Sequence, residues 1–294
     1  MNRTEINFSV VIPLYNKEKS ILNTVCSVLE QSYPNFELIV VNDGSTDGSL
    51  EVVKQMTDDR IRIVDKKNGG VSSARNAGIR SANHQWVALL DGDDVWLPDF
   101  LKMVCTMIEK YPEAEVISLG WKNDVGKYEI PYSKEGYIDN YHKVSLKGAV
   151  LHSSSTVIKN TAFQSVGFFN EALAYGEDIE MWSRLSEKTR IAFSPTPMSV
   201  YRLVAENRVC ENPRLNIEKH IACHFSLQDM KSKDEKRYYR KIILDCMMHC
   251  MKYHDSQSLN ALIRKHGKKE ILFDFVRIYS TKACNLLKRI TTVP

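Results

Sequence analysis

The apolar run Trp86-Val87-Ala88-Leu89-Leu90 ends in Asp91-Gly92-Asp93-Asp94, three aspartates within four residues. Carboxylates this close repel one another and raise each other's pKa unless a cation lies among them. The cluster therefore has the make-up of half a hard-metal site, with the other half supplied by the oxygens of a bound diphosphate. Taken alone it is equally an acidic turn behind a buried strand, because Asp and Gly are ordinary turn residues. Tyr15, Asn16 and Glu18 follow one apolar run, and Asn42 and Asp43 follow another. A further acidic pair, Glu177-Asp178, opens an amphipathic segment, where a carboxylate serves either as a proton acceptor or as a partner of the helix dipole.

These groups are positioned by an alternation of β-branched runs and segments with helical spacing. Phe8–Ile12, Phe36–Val41, Ile61–Val64, Trp86–Leu90 and Val116–Leu119 read as strands. Lys17–Gln31, Asp47–Met56, Val71–Ser81 and Pro98–Lys110 read as helices, with Pro98 suited to a first turn. Strands separated by helices of this length imply a parallel sheet covered on both faces, and in such sheets ligands bind beyond the carboxyl ends of the strands. Tyr15, Asn16, Glu18, Asn42, Asp43 and Asp91–Asp94 all fall at that rim. An acidic rim accommodates a phosphate when a metal bridges the two, which turns the balance for the aspartate cluster from turn toward site. Residues 120–150 read as a loop-rich segment able to cover the rim. A strand at Thr156–Lys159, helices at Thr161–Val166 and Glu177–Lys188, and two short strands, Ile191–Phe193 and Met198–Tyr201, complete this part.

Composition narrows the class. The chain has 294 residues, 43% of them hydrophobic and 26% charged, as in a folded globular protein. A net charge of +4 is too small to argue for a nucleic-acid partner. The first residues lack a basic stretch followed by a long apolar one, and no segment approaches the roughly 18 apolar residues of a membrane span. With seven cysteines, an odd number set mostly in apolar patterns, this predicts a reducing, cytoplasmic location. After Pro213 the pattern is helical, over Glu235–Tyr253 and Lys269–Ile290, and basic residues gather there, among them Lys236, Arg237, Arg240, Lys241, Arg264 and Lys265. They are either solvated helix faces or a contact with anionic lipid at the inner face of the plasma membrane. Cys246, His249, Cys250 and His254 have helical spacing and continue an apolar stripe, which favours core packing over a metal site. His152 and Ser153–Ser155 read either as a loop or as groups that reach a second substrate.

Five successive motifs carry a family resemblance: Val11-Ile12-Pro13-Leu14-Tyr15-Asn16-Lys17-Glu18; Val40-Val41-Asn42-Asp43-Gly44-Ser45-Thr46-Asp47; Asn68-Gly69-Gly70 with Ala74-Arg75-Asn76-Ala77-Gly78; Leu90-Asp91-Gly92-Asp93-Asp94; and Gly176-Glu177-Asp178-Ile179-Glu180-Met181-Trp182. In this order they resemble the family-two glycosyltransferases over about residues 6–203. The resemblance implies a GT-A fold: an α/β, Rossmann-like, mostly parallel sheet flanked by helices, with a C-terminal helical extension. Residues 1–212 would bind the donor and catalyse, and 213–294 would contact acceptor, membrane surface or a second copy in a homo-oligomer. It implies transfer from a nucleotide diphosphate sugar, a UDP-sugar first, to a hydroxyl of a glycan or lipid-linked oligosaccharide, with inversion and with Mn²⁺ or Mg²⁺. By the same resemblance Pro13, Tyr15 and Glu18 would line the base and ribose pocket, and Asp43 would accept from the base. Arg75 would lie beside the nucleotide, Asp91 would face the ribose, Asp93 would ligate the metal, and Asp178 would be the catalytic base. Asp94 is expected to support or cap, and Trp182 to pack in the core.

One position departs from the family pattern. Many relatives have a histidine two residues after the Tyr-Arg that here is Tyr201-Arg202; this chain has Val204, which cannot ligate. Glu206, His220 or water would then complete the metal shell. A dinucleotide-binding oxidoreductase would need a glycine-rich first turn where this chain has Pro-Leu-Tyr-Asn-Lys-Glu, and no phosphate-binding loop ending in Gly-Lys occurs. The alternative that stays open is a non-catalytic relative that binds a nucleotide sugar or glycan.

Overall fold

The structure is a computed structural model that describes residues 5–125, 132–207 and 216–267. The chain divides into two compact units, Met1–Cys210 and Glu211–Pro294.

The first unit begins with β1 (Phe8–Leu14), α1 (Ile21–Leu29), β2 (Phe36–Asp43), α2 (Ser49–Lys54), β3 (Ile61–Lys66), α3 (Val71–Arg80) and β4 (Trp86–Leu89). The short β5 (Val95–Trp96), α4 (Phe100–Lys110), β6 (Val116–Asn123), β7 (Gly136–Tyr137) and α5 (Tyr141–Ser145) follow. β8 (Thr156–Lys159), α6 (Ala162–Val166), α7 (Glu177–Lys188) and β9 (Ile191–Tyr201) complete it. The strands form one sheet in the order β3-β2-β1-β4-β8-β6-β9-β5, with β7 paired to β9. β1 lies between β2 and β4, which is why Phe8, Val10, Val11, Ile12 and Leu14 form an almost unbroken apolar run: both faces are covered and all five are fully buried. Each such side chain contributes about 1.5–3 kcal/mol of burial. Edge strand β3 is only partly buried, with Arg62 and Asp65 exposed.

β1, β2, β3 and β4 run parallel, so their carboxyl ends share one edge; the register sets Leu14 beside Asn42 and Asp43 beside Lys66. α3 lies close against this half of the sheet. A Cβ on Gly78 would come within 2.3 Å of Val11 Cγ1 and 3.1 Å of Val41 Cγ2, so the approach requires glycine.

Three elements differ from the expectation. β8 is inserted antiparallel between β4 and β6, so the strand at 116–123 is not the direct neighbour of β4. An antiparallel neighbour needs no crossover helix, and the connection from β6 to β8, which holds β7 and α5, brings the chain back to form it. The two strands expected near 191 and 198 are one, β9, whose register against β6 shifts at Gly120; Pro195 and Pro197 sit at this irregularity, where a missing N–H costs no ladder bond. α1 starts at Ile21 rather than Lys17, because Asn16 adopts a left-handed φ of 52° and Lys17–Ser20 form a turn.

In the second unit, α8 (Lys233–Lys252) and α9 (Ser256–His266) pack around Ile243, Leu244, Cys246, Met247, Cys250, Leu259 and Leu262. Ser232 and Glu235 form a capping box that starts α8, and the Asp255 side chain accepts from Ser258 N–H to start α9. Cys246 and Cys250 are core residues and His249 packs on the Tyr253 ring at 4.7 Å. The helix expected over Lys269–Ile290 lies outside the described residues.

Candidate active site

The loop after β1 is joined to the loop after β2. Asn16 N–H donates to Ser45 Oγ at 3.2 Å, Thr46 N–H to Asn16 Oδ1 at 2.8 Å, and Lys17 N–H to Ser49 Oγ at 2.7 Å. Asp43 ends β2 and is buried. Its Oδ1 accepts from Lys66 Nζ at 2.6 Å and from Gly69 N–H at 3.0 Å, and its Oδ2 from Gly70 N–H at 2.8 Å. Three donors leave about one further lone-pair direction on this carboxylate. Asp43 thus anchors the Asn68-Gly69-Gly70 loop and retains capacity for one more donor. Tyr15 is exposed in the loop after β1, and Pro13 lies half-buried on β1. Glu18 is directed to α2, where its carboxylate accepts from Gly48 N–H at 3.1 Å.

The aspartate cluster divides into three environments. Asp91 accepts from Arg75 Nη2 at 2.7 Å. Burial opposes its charge, but the adjacent guanidinium outweighs that and holds the carboxyl below its ordinary value. Asp93 Oδ2 is 2.6 Å from Lys17 Nζ. Burial raises its carboxyl despite that ammonium. Asp94 is fully buried, accepting from Ser154 Oγ at 2.5 Å and Arg202 N–H at 3.0 Å. Burial, then its neighbours Asp91 and Asp93, push it well above the carboxylate range. Gly92, between them, is pressed to the sheet, where an added Cβ would lie 2.9 Å from the Pro13 carbonyl.

Arg75 links this cluster to the start of α7. While Nη2 holds Asp91, Nη1 donates to Glu177 Oε1 at 2.9 Å, and the guanidinium sits 5.3 Å from the Phe169 ring. Gly176, with φ 76°, turns the chain into α7, whose first turn carries Glu177, Asp178 and Glu180. Burial and then the Asp178 charge push the Glu177 carboxyl up to about 7. Glu180 pairs with Arg184 at 2.7 Å. Asp178 is left as the first-turn acid with no ion-pair partner among the described residues; its Oδ1 accepts only the neighbouring Ile179 N–H, at 2.7 Å. Trp182 is buried, edge-on to Phe169.

The 3-10 turn Ser153–Ser155 belongs to the same rim. Ser154 Oγ accepts from Asp91 N–H at 3.2 Å while donating to Asp94, and His152 Nδ1 accepts from Ser154 N–H at 3.3 Å, which leaves the ring proton on Nε2. The His152 ring stacks on Trp121 at 5.1 Å. Val204, 90% exposed, ligates nothing, and the Glu206 carboxylate caps α1 by accepting from Lys19 N–H and Ser20 N–H. His220 belongs to the second unit, where its Nδ1 accepts from Ala222 N–H.

A divalent ion is testable against this donor set. Among the described residues no group of three or more His, Cys, Asp or Glu is placed to hold a metal ion by itself. Around Lys17 Nζ, however, stand Asp93 Oδ2, the Glu206 carbonyl at 2.5 Å and the Asn207 carbonyl at 3.3 Å. These oxygens are of the kind a hard cation such as Mg²⁺ or Mn²⁺ takes, and Asp93 would hold such an ion with the remaining ligands coming from phosphates and water. Lys17 and Lys66 were not singled out from sequence. The signal for Lys66 was its place at the end of β3, on the same rim.

The sheet order and the α/β layering define a GT-A fold. The model of Glycosyl transferase family 2 matches residues 9–167, more than half of the chain, and the protein belongs to this family. An uncharacterized glycosyltransferase of Rickettsia bellii is 30% identical over 210 residues, 70% of this chain and 30% of that protein. The Escherichia coli protein named UDP-Glc:alpha-D-GlcNAc-diphosphoundecaprenol beta-1,3-glucosyltransferase WfgD is 29% identical over 191 residues, 63% of this chain and 71% of its own length. The match spans about a third of the Rickettsia felis relative, at 34%. Among solved structures, S. aureus TarS in complex with UDP-GlcNAc superposes with a TM-score of 0.61 at 19% identity, covering 89% of this chain and 72% of that one. The mannosyltransferase PcManGT from Pyrobaculum calidifontis, in complex with GDP-Man and Mn²⁺, gives 0.62 at 17% identity, covering 97% and 81%.

Proposed function

We propose that the first unit transfers a sugar from a UDP-sugar to a hydroxyl of a glycan or lipid-linked oligosaccharide, inverting the anomeric carbon in a single in-line displacement. The observation that carries this reading is Asp178. In a first turn where Glu180 pairs with Arg184 and Glu177 with Arg75, it keeps a carboxylate oxygen without a cation. An acceptor hydroxyl is a poor nucleophile, and a positioned carboxylate that takes its proton is what the displacement requires. Glu177, bound through Arg75 to Asp91, couples the base to the donor side of the rim.

The donor side has matching roles. Asp43 offers its remaining acceptor direction to an imide N–H of the base, Tyr15 its exposed ring, and Asp91 its second oxygen to the ribose. Asp93 is the residue that would hold Mn²⁺ or Mg²⁺; such an ion supplies positive charge where the diphosphate leaves. The UDP-GlcNAc bound by TarS and the UDP-Glc for which WfgD is named support a UDP-sugar, while the GDP-Man and Mn²⁺ bound by PcManGT support the metal. WfgD's diphosphoundecaprenol acceptor supports a lipid-linked acceptor here. Among the described residues no helix is long and apolar enough to cross a membrane, but Lys236, Arg237 and Lys241 on α8 and Arg264 and Lys265 on α9 are exposed, as a contact with anionic lipid headgroups requires.

The test is thermal stabilisation by a panel of UDP-sugars and GDP-mannose with and without Mn²⁺, followed by UDP release with wild type and Asp178→Asn. The expected result is a metal-dependent shift with one UDP-sugar and a loss of at least 100-fold in turnover for D178N with donor binding retained. Equal UDP release by both proteins would overturn the assignment of the base, and leave a binding role.

A further inference from the structure

Lys17 stands out as a lysine whose side chain is 88% removed from solvent, at 12% exposure, in a place where the reaction proposed above needs a different cation. Its backbone is fixed on both sides. Lys17 N–H is held by Ser49 Oγ at 2.7 Å, and its carbonyl accepts from Ser20 N–H and Ile21 N–H as α1 begins. The three N–H donors of an ammonium face three oxygens: Asp93 Oδ2 at 2.6 Å, the Glu206 carbonyl at 2.5 Å and the Asn207 carbonyl at 3.3 Å. The segment supplying the two carbonyls is itself tied down, by the Glu206 carboxylate on the start of α1 and by Asn207 Nδ2 on the Tyr15 carbonyl at 3.2 Å. The ammonium is therefore fully coordinated rather than loosely paired.

Charge gives this arrangement a consequence. Arg75 is shared by Asp91 and Glu177, but Lys17 serves Asp93 alone, so this one carboxylate already has a full positive charge beside it. A divalent ion entering alone would meet an ammonium 2.6 Å from the carboxylate oxygen it needs, in a site largely closed to water, where like charges repel strongly. An ion accompanied by a diphosphate meets less repulsion, because the diphosphate of a nucleotide sugar brings two negative charges and gives the displaced ammonium a new anionic partner.

We propose that Lys17 is a built-in counter-cation that keeps a divalent metal off Asp93 until a nucleoside diphosphate binds, so that metal and donor enter as one unit. This rests on the reading of Asp93 as the metal ligand. It makes metal occupancy contingent on the donor and moves Lys17 onto the diphosphate in the ternary complex.

The test is Mn²⁺ binding by the full chain, measured by loss of the free-ion EPR signal without nucleotide, for wild type, Lys17→Met, Lys17→Gln and Lys17→Arg, and for K17M combined with Asp93→Asn. K17M and K17Q, each checked for an unchanged far-UV spectrum, are expected to bind Mn²⁺ at least tenfold more tightly than wild type. K17R is expected to behave as wild type, and the D93N double variant to lose the gain. Equal affinity of K17M, K17Q and wild type, or a gain that survives D93N, overturns the proposal. A second arm measures UDP-dependent retention of Mn²⁺ by wild type and D93N in equilibrium dialysis against a UDP-only control. Retention that D93N abolishes upholds Asp93 as the metal ligand, so that a null result in the first arm then counts against Lys17 alone. No UDP-dependent retention in wild type overturns the metal reading and the role of Lys17 with it.

Discussion

Glu177→Gln is expected to make the first unit more stable at high pH than at low pH relative to wild type. Burial and the neighbouring Asp178 move the Glu177 carboxyl from 4.5 to about 7, even with Arg75 Nη1 at 2.9 Å. Below pH 4.5 the folded and unfolded states both carry the proton. Between 4.5 and about 7 the unfolded chain has released it and the folded one has not, so the folded state binds more protons and stability falls as pH rises. Above about 7 both states have lost it and the penalty is complete. At about 1.4 kcal/mol per tenfold, the full interval costs about 3 kcal/mol. Glutamine keeps the shape and an oxygen for Arg75 but has no proton to lose, so this pH-dependent penalty vanishes in E177Q. The assay is urea unfolding followed by tryptophan fluorescence from pH 4.5 to 9; Trp86, Trp96, Trp121 and Trp182 all lie in the first unit, so the signal reports the unit that carries the site. The stability difference between E177Q and wild type should change by about 3 kcal/mol in favour of E177Q across that range. A difference that stays flat with pH, or changes in favour of wild type, refutes the upward shift of the Glu177 carboxyl.

Gly78→Ala tests a conflict of signs: helix propensity alone favours alanine by about 1 kcal/mol. The new Cβ, however, would lie 2.3 Å from a Val11 side chain with no room to retreat, so a net loss of about 2 kcal/mol in urea unfolding is expected. Arg75→Met leaves Asp91 and Glu177 without their shared cation and should cost about 3 kcal/mol and most of the UDP affinity by calorimetry. Arg75→Lys should recover little, since one ammonium does not span two carboxylates as the guanidinium fork does. Asp94→Asn should stay within about 1 kcal/mol of wild type, because Asp94 is held above the carboxylate range and an amide can replace a neutral acid, whereas Asp94→Leu, which leaves Arg202 N–H and the Ser154 hydroxyl proton without an acceptor, should cost about 2 kcal/mol or more.

The features that were legible in the sequence are those with a period or a strand end. Phe8–Ile12 and Phe36–Val41 are apolar without alternation because parallel neighbours and helices cover both faces, and that pattern alone sets Asp43 and Asp91 at one edge. Direction was not legible in Thr156–Lys159, since four residues fit an antiparallel pair as well as a parallel one, and Pro195 and Pro197 read as a break because sequence does not reveal a bulge where their missing N–H is harmless. The rim acids could be found, but not what each faces: Glu18 lies in the expected loop and turns to Gly48, while the adjacent Lys17 reaches across 76 positions of sequence to Asp93. Glu206 shows the limit most clearly. In place of the missing histidine the sequence offers its carboxylate, which caps α1, whereas the atom it brings to the cation position is its main-chain carbonyl. Every residue carries that group, so its presence at the site depends on the course of the chain after β9 and on no side chain that a sequence reading could single out.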